Sequence, residues 1–357
     1  MIHNMETKAG KMKQNKNIKS VQFLRGIAAV MVVLIHAFQF IPAHELNNFP
    51  PNRFPSFLIA GGAGVDIFFV ISGFLMCYIL SNKDLTPSRF ILARTIRVVP
   101  IYWFWSLMFF LYVFIRWSPA FLAHEWIPHL AKSLLFINAA GPDGITQPFL
   151  NVGWTLNYEF IFYVFVFFIA LHFKYKNITT QTLTLTYSLS IALLIYFEIY
   201  SPQLLEFFLG IAVFYIWKKT TINQTCGYIF IIFSFLTIII AAKYAHEAGG
   251  FARLFIWGTP SALLLLGFLS VDNHINWDKY PFFIMLGDAS YSIYLTHWFF
   301  RFDAYRTLPF ITQNITIQFL ICVTLMVSLG IACFRYIEQP LLSWINNKIN
   351  KNLPTTR

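Results

Sequence analysis

Arg25 and His36 lie eleven residues apart in a run that is otherwise apolar, LRGIAAVMVVLIH. At about 100° per residue, eleven steps end roughly 20° past three full turns and rise roughly 16 Å, so both side chains share one helix face. A guanidinium holds anions, and an imidazole exchanges protons at neutral pH. Either group inside a membrane helix costs about 2.5 kcal/mol or more on insertion scales and faces a cavity or a partner. A polar tunnel is the expectation.

Five further stretches place polar residues among apolar ones. GVDIFFVISGF, residues 64–74, carries Asp66 near one membrane face and the small pair Ser72 and Gly73, which read as structural residues that let helices approach. Asp66 either orients His36 or a bound hydroxyl, or caps and pairs within the outer interface. Arg94 and Arg97 stand at i, i+3, so their guanidinium groups can converge on one anion; anchoring to lipid headgroups is the competing reading. In WTLNYEFIFY, residues 154–163, Glu159 falls some 10 Å inside the outer boundary, with Tyr163 one turn on. Ser290, Tyr294 and His297 stand at i, i+4, i+7 and form a polar stripe that should point inward. His297 either contacts ligand, bonds a neighbouring helix or joins an outer aromatic belt. Glu338, in FRYIEQP, is expected to pair with a nearby arginine and to touch ligand only secondarily.

The elements that must position these residues follow from composition. Of 357 residues 57% are hydrophobic and 11% charged, with 41 Phe and a mean hydropathy of +0.61; a water-soluble globular class is excluded. Apolar runs long enough for a ~30 Å hydrocarbon core predict an all-α polytopic membrane protein, a bundle of about ten transmembrane helices. The expected spans are 21–41, 64–80, 98–117, 152–172, 182–200, 203–217, 226–242, 253–270, 283–301 and 315–336. With the N-terminus inside, 17 of the 26 Lys and Arg fall in cytoplasmic segments and seven on the opposite side, the asymmetry that sets topology. Both termini are therefore expected in the cytoplasm, with residues 1–20 a flexible basic tail, 21–340 the membrane domain and 341–357 a short basic tail.

The +11 formal charge is accounted for by topology and anionic lipid, so no nucleic-acid partner is expected. The first apolar run contains charge and lacks a small-residue cleavage site, which reads as an uncleaved anchor. Cys77, Cys226, Cys322 and Cys333 show no metal-like spacing; neither a metal nor a disulfide is expected. Residues 127–137 are semi-apolar and precede a Gly-Pro-Asp-Gly turn at 141–144. They form either a lid over the outer opening or a helix that only seals the bundle.

The strings, in this order and spanning residues 20–340, resemble the acyltransferase 3 family of integral-membrane acyltransferases, and the WTLNYEFIFY block is most similar to members that acetylate exopolysaccharide or O-antigen sugars. The resemblance implies acyl transfer, acetyl above all, from cytoplasmic acyl-CoA to a hydroxyl of an envelope polysaccharide or glycolipid. It implies Arg25, Arg94 and Arg97 as binders of the donor's phosphates. His36 is then the base or transient acyl acceptor, with Glu159 or Asp66 orienting it or the acceptor, and Tyr163, Ser290, Tyr294 and His297 line the substrate's path. Expected partners are a lipid-linked or nascent polysaccharide, membrane lipids and polysaccharide-synthesis proteins. The expected location is the bacterial cytoplasmic (inner) membrane. A glycan or lipid flippase is the rival class, and it would move substrate without breaking a thioester.

Overall fold

The computed structural model describes residues 18–42, 56–81, 86–117, 126–175, 195, 201–242, 244, 250–301 and 303–352. Among these residues the structure is helical, and an isolated bridge between Ala140 and Thr146 is the one β pairing present. The principal helices are α1 (Lys19–Gln39), α2 (Ala63–Leu80), α3 (Pro87–Trp117), α4 (Trp126–Leu134) and α5 (Trp154–Tyr175). They are followed by α6 (Glu206–Lys219), α7 (Gln224–Ile240), α8 (Phe251–Val271), α9 (Pro281–Asp288), α10 (Ser290–Thr296), α11 (Ile315–Cys333) and α12 (Gln339–Asn352). Six of the described helical stretches are long and apolar enough to cross a membrane: those over α1, α2, α3, α5, α8 and α11–α12. The expected span 182–200 lies, apart from residue 195, outside the described residues, as does most of the 1–20 tail.

Large apolar side chains face outward along these helices, among them Ile115 on α3 at 76% exposure and Ile240 on α7 at 72%. Such a surface needs hydrocarbon around it. Inside, polar pairs fix the relative directions of the helices. At one end Lys19 pairs with Asp278 at 2.6 Å and the Ser20 backbone N–H donates to Asp272. At the other, His36 meets His297, Tyr112 donates to Asp303, and Asp66 meets Arg253. Helices α1, α3 and α10 therefore run together, against α2 and α8.

Glycines set the tightest crossings. A Cβ on Gly73 would sit 1.9 Å from the Phe207 carbonyl oxygen, and one on Gly210 would sit 2.0 Å from that of Val70; this seam between α2 and α6 exists only because both positions lack a side chain. Gly287 meets the Gln22 carbonyl in the same way, which seats the start of α10 against Arg25.

Three boundaries differ from the sequence reading. The third helix begins at Pro87, so Arg94 and Arg97 lie within α3 and not ahead of it, with Pro100 inside the same helix; the hydropathy signal starts later because the charges precede Val98. The ninth span is hitched at Ala289, where φ is −81° and ψ is −2°. The i→i−4 bonds from Ala289 to Met285 and from Ile293 to Ala289 persist across it. Finally, the chain continues helically past Pro340, through a π turn at Phe334–Glu338 into α12. A second π turn, Leu254–Gly258, likewise stands two residues before a proline, Pro260; a widened turn accommodates the missing proline N–H. The semi-apolar loop segment forms α4, and the Gly-Pro-Asp-Gly turn has Gly144 at φ +76° with the Asp143 carboxylate accepting from the Ile145 N–H.

Candidate active site

The stripe on α1 meets the stripe on α10. Arg25 donates to the Ser290 hydroxyl at 2.9 Å and to Gln22 at 3.0 Å, and His36 lies 3.1 Å from His297. Arg25 and His36 are separated by roughly 16 Å of helical rise and Ser290 and His297 by roughly 10 Å; the long arginine side chain takes up the difference. Ser290 and His297 are fully buried and Tyr294 nearly so, as an inward-facing stripe requires.

A cavity of about 80 Å³ lies beside the arginine end. Its polar lining comes from five helices: Arg25 on α1, Ser72 on α2, Arg94 and Arg97 on α3, Thr155, Glu159 and Tyr163 on α5, and Ser290, Tyr291 and Tyr294 on α10. Glu159 is its electrostatic centre. One carboxylate oxygen accepts from Ser72 at 3.0 Å and also from Tyr163. Arg97 repels the Arg25 charge while Glu159 and Glu338 attract it, which lets three guanidinium groups share a small volume. The buried Nε of Arg94 has no hydrogen-bond partner. A buried donor without an acceptor costs about 1–3 kcal/mol, so this group is suited to an incoming anion.

Neither histidine lines that cavity. The His36 Nδ1 faces both the Val32 carbonyl at 3.0 Å and His297 Nε2 at 3.1 Å. A carbonyl oxygen only accepts, so Nδ1 carries the proton, and Nε2 of His36 is left with its lone pair. His297 Nδ1 in turn donates to Ile293 O at 3.2 Å, which leaves its Nε2 to accept from His36. His297 thus holds the tautomer that keeps a bare nitrogen on His36, as an orienting group does for a general base. Trp298 stands edge-on to the His36 ring at 5.3 Å, and Phe40 stacks at 6.1 Å.

Asp66 and Glu338 lie outside that cavity. Asp66 is fully buried and takes a two-pronged contact from Arg253, at 2.7 and 3.1 Å, beside the buried carboxyl of Glu206. Arg253 also stacks over Trp257. Ser72 works as a donor to Glu159 as well as a small residue. Glu338 accepts from Ser292 at 2.5 Å, with Arg97 and Arg25 acting on it through space. Four participants were not singled out from sequence. Thr155 and Tyr291 carried a signal, being one turn from Glu159 and beside Ser290. Arg253 and Glu206, at the starts of their helices, reach Asp66 only through tertiary packing. Among the described residues no His, Cys, Asp and Glu cluster could hold a metal ion.

A helical membrane bundle that brings cations, a carboxylate and an imidazole pair together from four helices is the setting for group transfer inside a bilayer. The acyltransferase 3 model, described as an acyltransferase domain, matches residues 18–335, and the chain belongs to that family. The exopolysaccharide production protein ExoZ of Rhizobium meliloti (strain 1021) is 30% identical over 298 residues, covering 79% of this chain and 90% of that protein. No solved structure matches the chain significantly.

Proposed function

We propose that this acyltransferase moves an acetyl group from cytoplasmic acyl-CoA to a hydroxyl of an exported polysaccharide or its lipid-linked precursor. The observation that carries the reading is the convergence of Arg25, Arg94 and Arg97 on one cavity, with an oriented imidazole pair one side chain beyond it. Phosphates of the donor are matched to three guanidinium groups, and the unpartnered Arg94 Nε supplies a donor for them. His36 Nε2 takes the acceptor hydroxyl's proton as the oxygen attacks the acyl carbon; the carbon–sulfur bond breaks and the thiolate leaves. Glu159, fixed by Ser72 and Tyr163, orients the reacting groups from the cavity side. Similarity to a protein of exopolysaccharide production supports the polysaccharide acceptor.

The placement belongs to the same reading: ten spans, both termini cytoplasmic, in the bacterial inner membrane. Helices α5 and α6 follow one another yet run in the same direction, since both lie alongside α2 in parallel, with Ser72 against Glu159 and Asp66 beside Glu206. This supports a further span between them, where the sequence puts 182–200. The arginine cavity then lies in the cytoplasmic half and the histidine pair in the outer half.

Release of free coenzyme A thiol tests the chemistry. Protein in proteoliposomes should release thiol from acetyl-CoA much faster when extracted envelope glycolipid is present. Glycolipid movement across the bilayer with no thiol released would instead establish a flippase.

A further inference from the structure

We infer that Tyr294 is the partition between the donor cavity and the histidine pair, and that Thr155 is the positioning residue that latches it. This rests on the proposed transfer reaction. Tyr294 is the cavity-lining residue whose ring contacts the pair, 5.7 Å from that of His297, while neither histidine reaches the cavity. Its hydroxyl is fixed in both directions: it donates to the Val152 carbonyl at 3.0 Å and accepts from the Thr155 hydroxyl at 2.9 Å. All of this is buried, so water does not compete for either bond. Val152 lies in the turn Asn151–Gly153 that leads into α5, and Thr155 is in the first turn of α5, one turn before Glu159. The latch is therefore built on the helix that carries the carboxylate.

The consequence is coupling. With the ring latched, water on the His36 side is kept from a thioester in the cavity; the acyl group meets His36 only when the ring moves. If water enters in place of the acceptor, its oxygen attacks the acyl carbon, the carbon–sulfur bond breaks, and the proton passes through His36 to the departing thiolate. The products are free carboxylic acid and coenzyme A. A loose partition raises this hydrolysis relative to transfer.

The experiment measures, with radiolabelled acetyl-CoA and extracted glycolipid, the ratio of free acetate to acetylated glycolipid. Thr155→Val keeps the shape and removes the donor; Tyr294→Phe removes the hydroxyl. Thr155→Val should raise the ratio about fivefold, the factor expected for one neutral hydrogen bond, and Tyr294→Phe, which loses both bonds, by more, each with the donor KM within twofold of wild type. Thr155→Ser, which keeps the hydroxyl, should restore the wild-type ratio. A merely structural role lowers both rates by one factor and leaves the ratio fixed, and that result in both variants, with folding checked by melting temperature, would overturn the proposal. Absence of transfer and hydrolysis in wild type across several acyl-CoA donors would overturn the underlying reaction, and the partition with it.

Discussion

Removal of the Arg94 guanidinium should weaken donor binding with little effect on the chemical step. Arg94 and Arg97 stand one turn apart on α3 and line the same cavity as Arg25, and the Arg94 Nε is buried without a partner. A hydrogen bond to a charged group contributes about 1.5–3 kcal/mol. At 1.36 kcal/mol per tenfold, its loss raises the acetyl-CoA KM by roughly 10- to 150-fold. The phosphates do not change on acyl transfer, so the contact is equal in ground and transition states and kcat should hold. Arg94→Lys should recover part of the affinity, since it restores a point charge but not the fork. Initial rates in proteoliposomes against acetyl-CoA at saturating glycolipid measure this, and the inhibition constant of coenzyme A should rise by the same factor. A KM within twofold of wild type, or a loss confined to kcat, would remove Arg94 from the proposed phosphate site.

Further outcomes follow from other contacts. Arg253→Met should lower stability by about 3–5 kcal/mol, because it strands buried Asp66 beside Glu206; a detergent melting curve reads it, and Asp66→Leu added to it should restore most of the loss. Gly73→Ala requires α2 and α6 to separate by at least about 1 Å at the Phe207 carbonyl and should cost about 1–3 kcal/mol, with an unchanged melting temperature counting against the seam. Glu159→Gln should lower kcat/KM about tenfold or more. Ser72→Ala should lower it only severalfold, because the Tyr163 contact to Glu159 remains.

Much of the site was legible in the sequence wherever one helix's periodicity sufficed. An offset of eleven positions from Arg25 to His36, and of seven from Ser290 to His297, predicts two stripes, and the structure lays one against the other. Apolar run length likewise located the main helices. Contacts made between helices were not legible. Nothing local joins Asp66 to Arg253, 187 positions on, or Glu338 to Ser292, and the role of Ser72 is set by Glu159 on another helix. Helix continuation through Arg94, Arg97 and Pro340 escaped a hydropathy reading because charge and proline interrupt the apolar run without ending the hydrogen-bonded turn.

Transfer of label from radiolabelled acetyl-CoA into envelope glycolipid, wild type beside His36→Ala with both shown to be folded, tests the central claim most directly. Labelled glycolipid from wild type alone is the expected result, since His36 Nε2 is the nitrogen the hydrogen bonds leave with its lone pair and is the proposed base. Equal labelling by both proteins would contradict it.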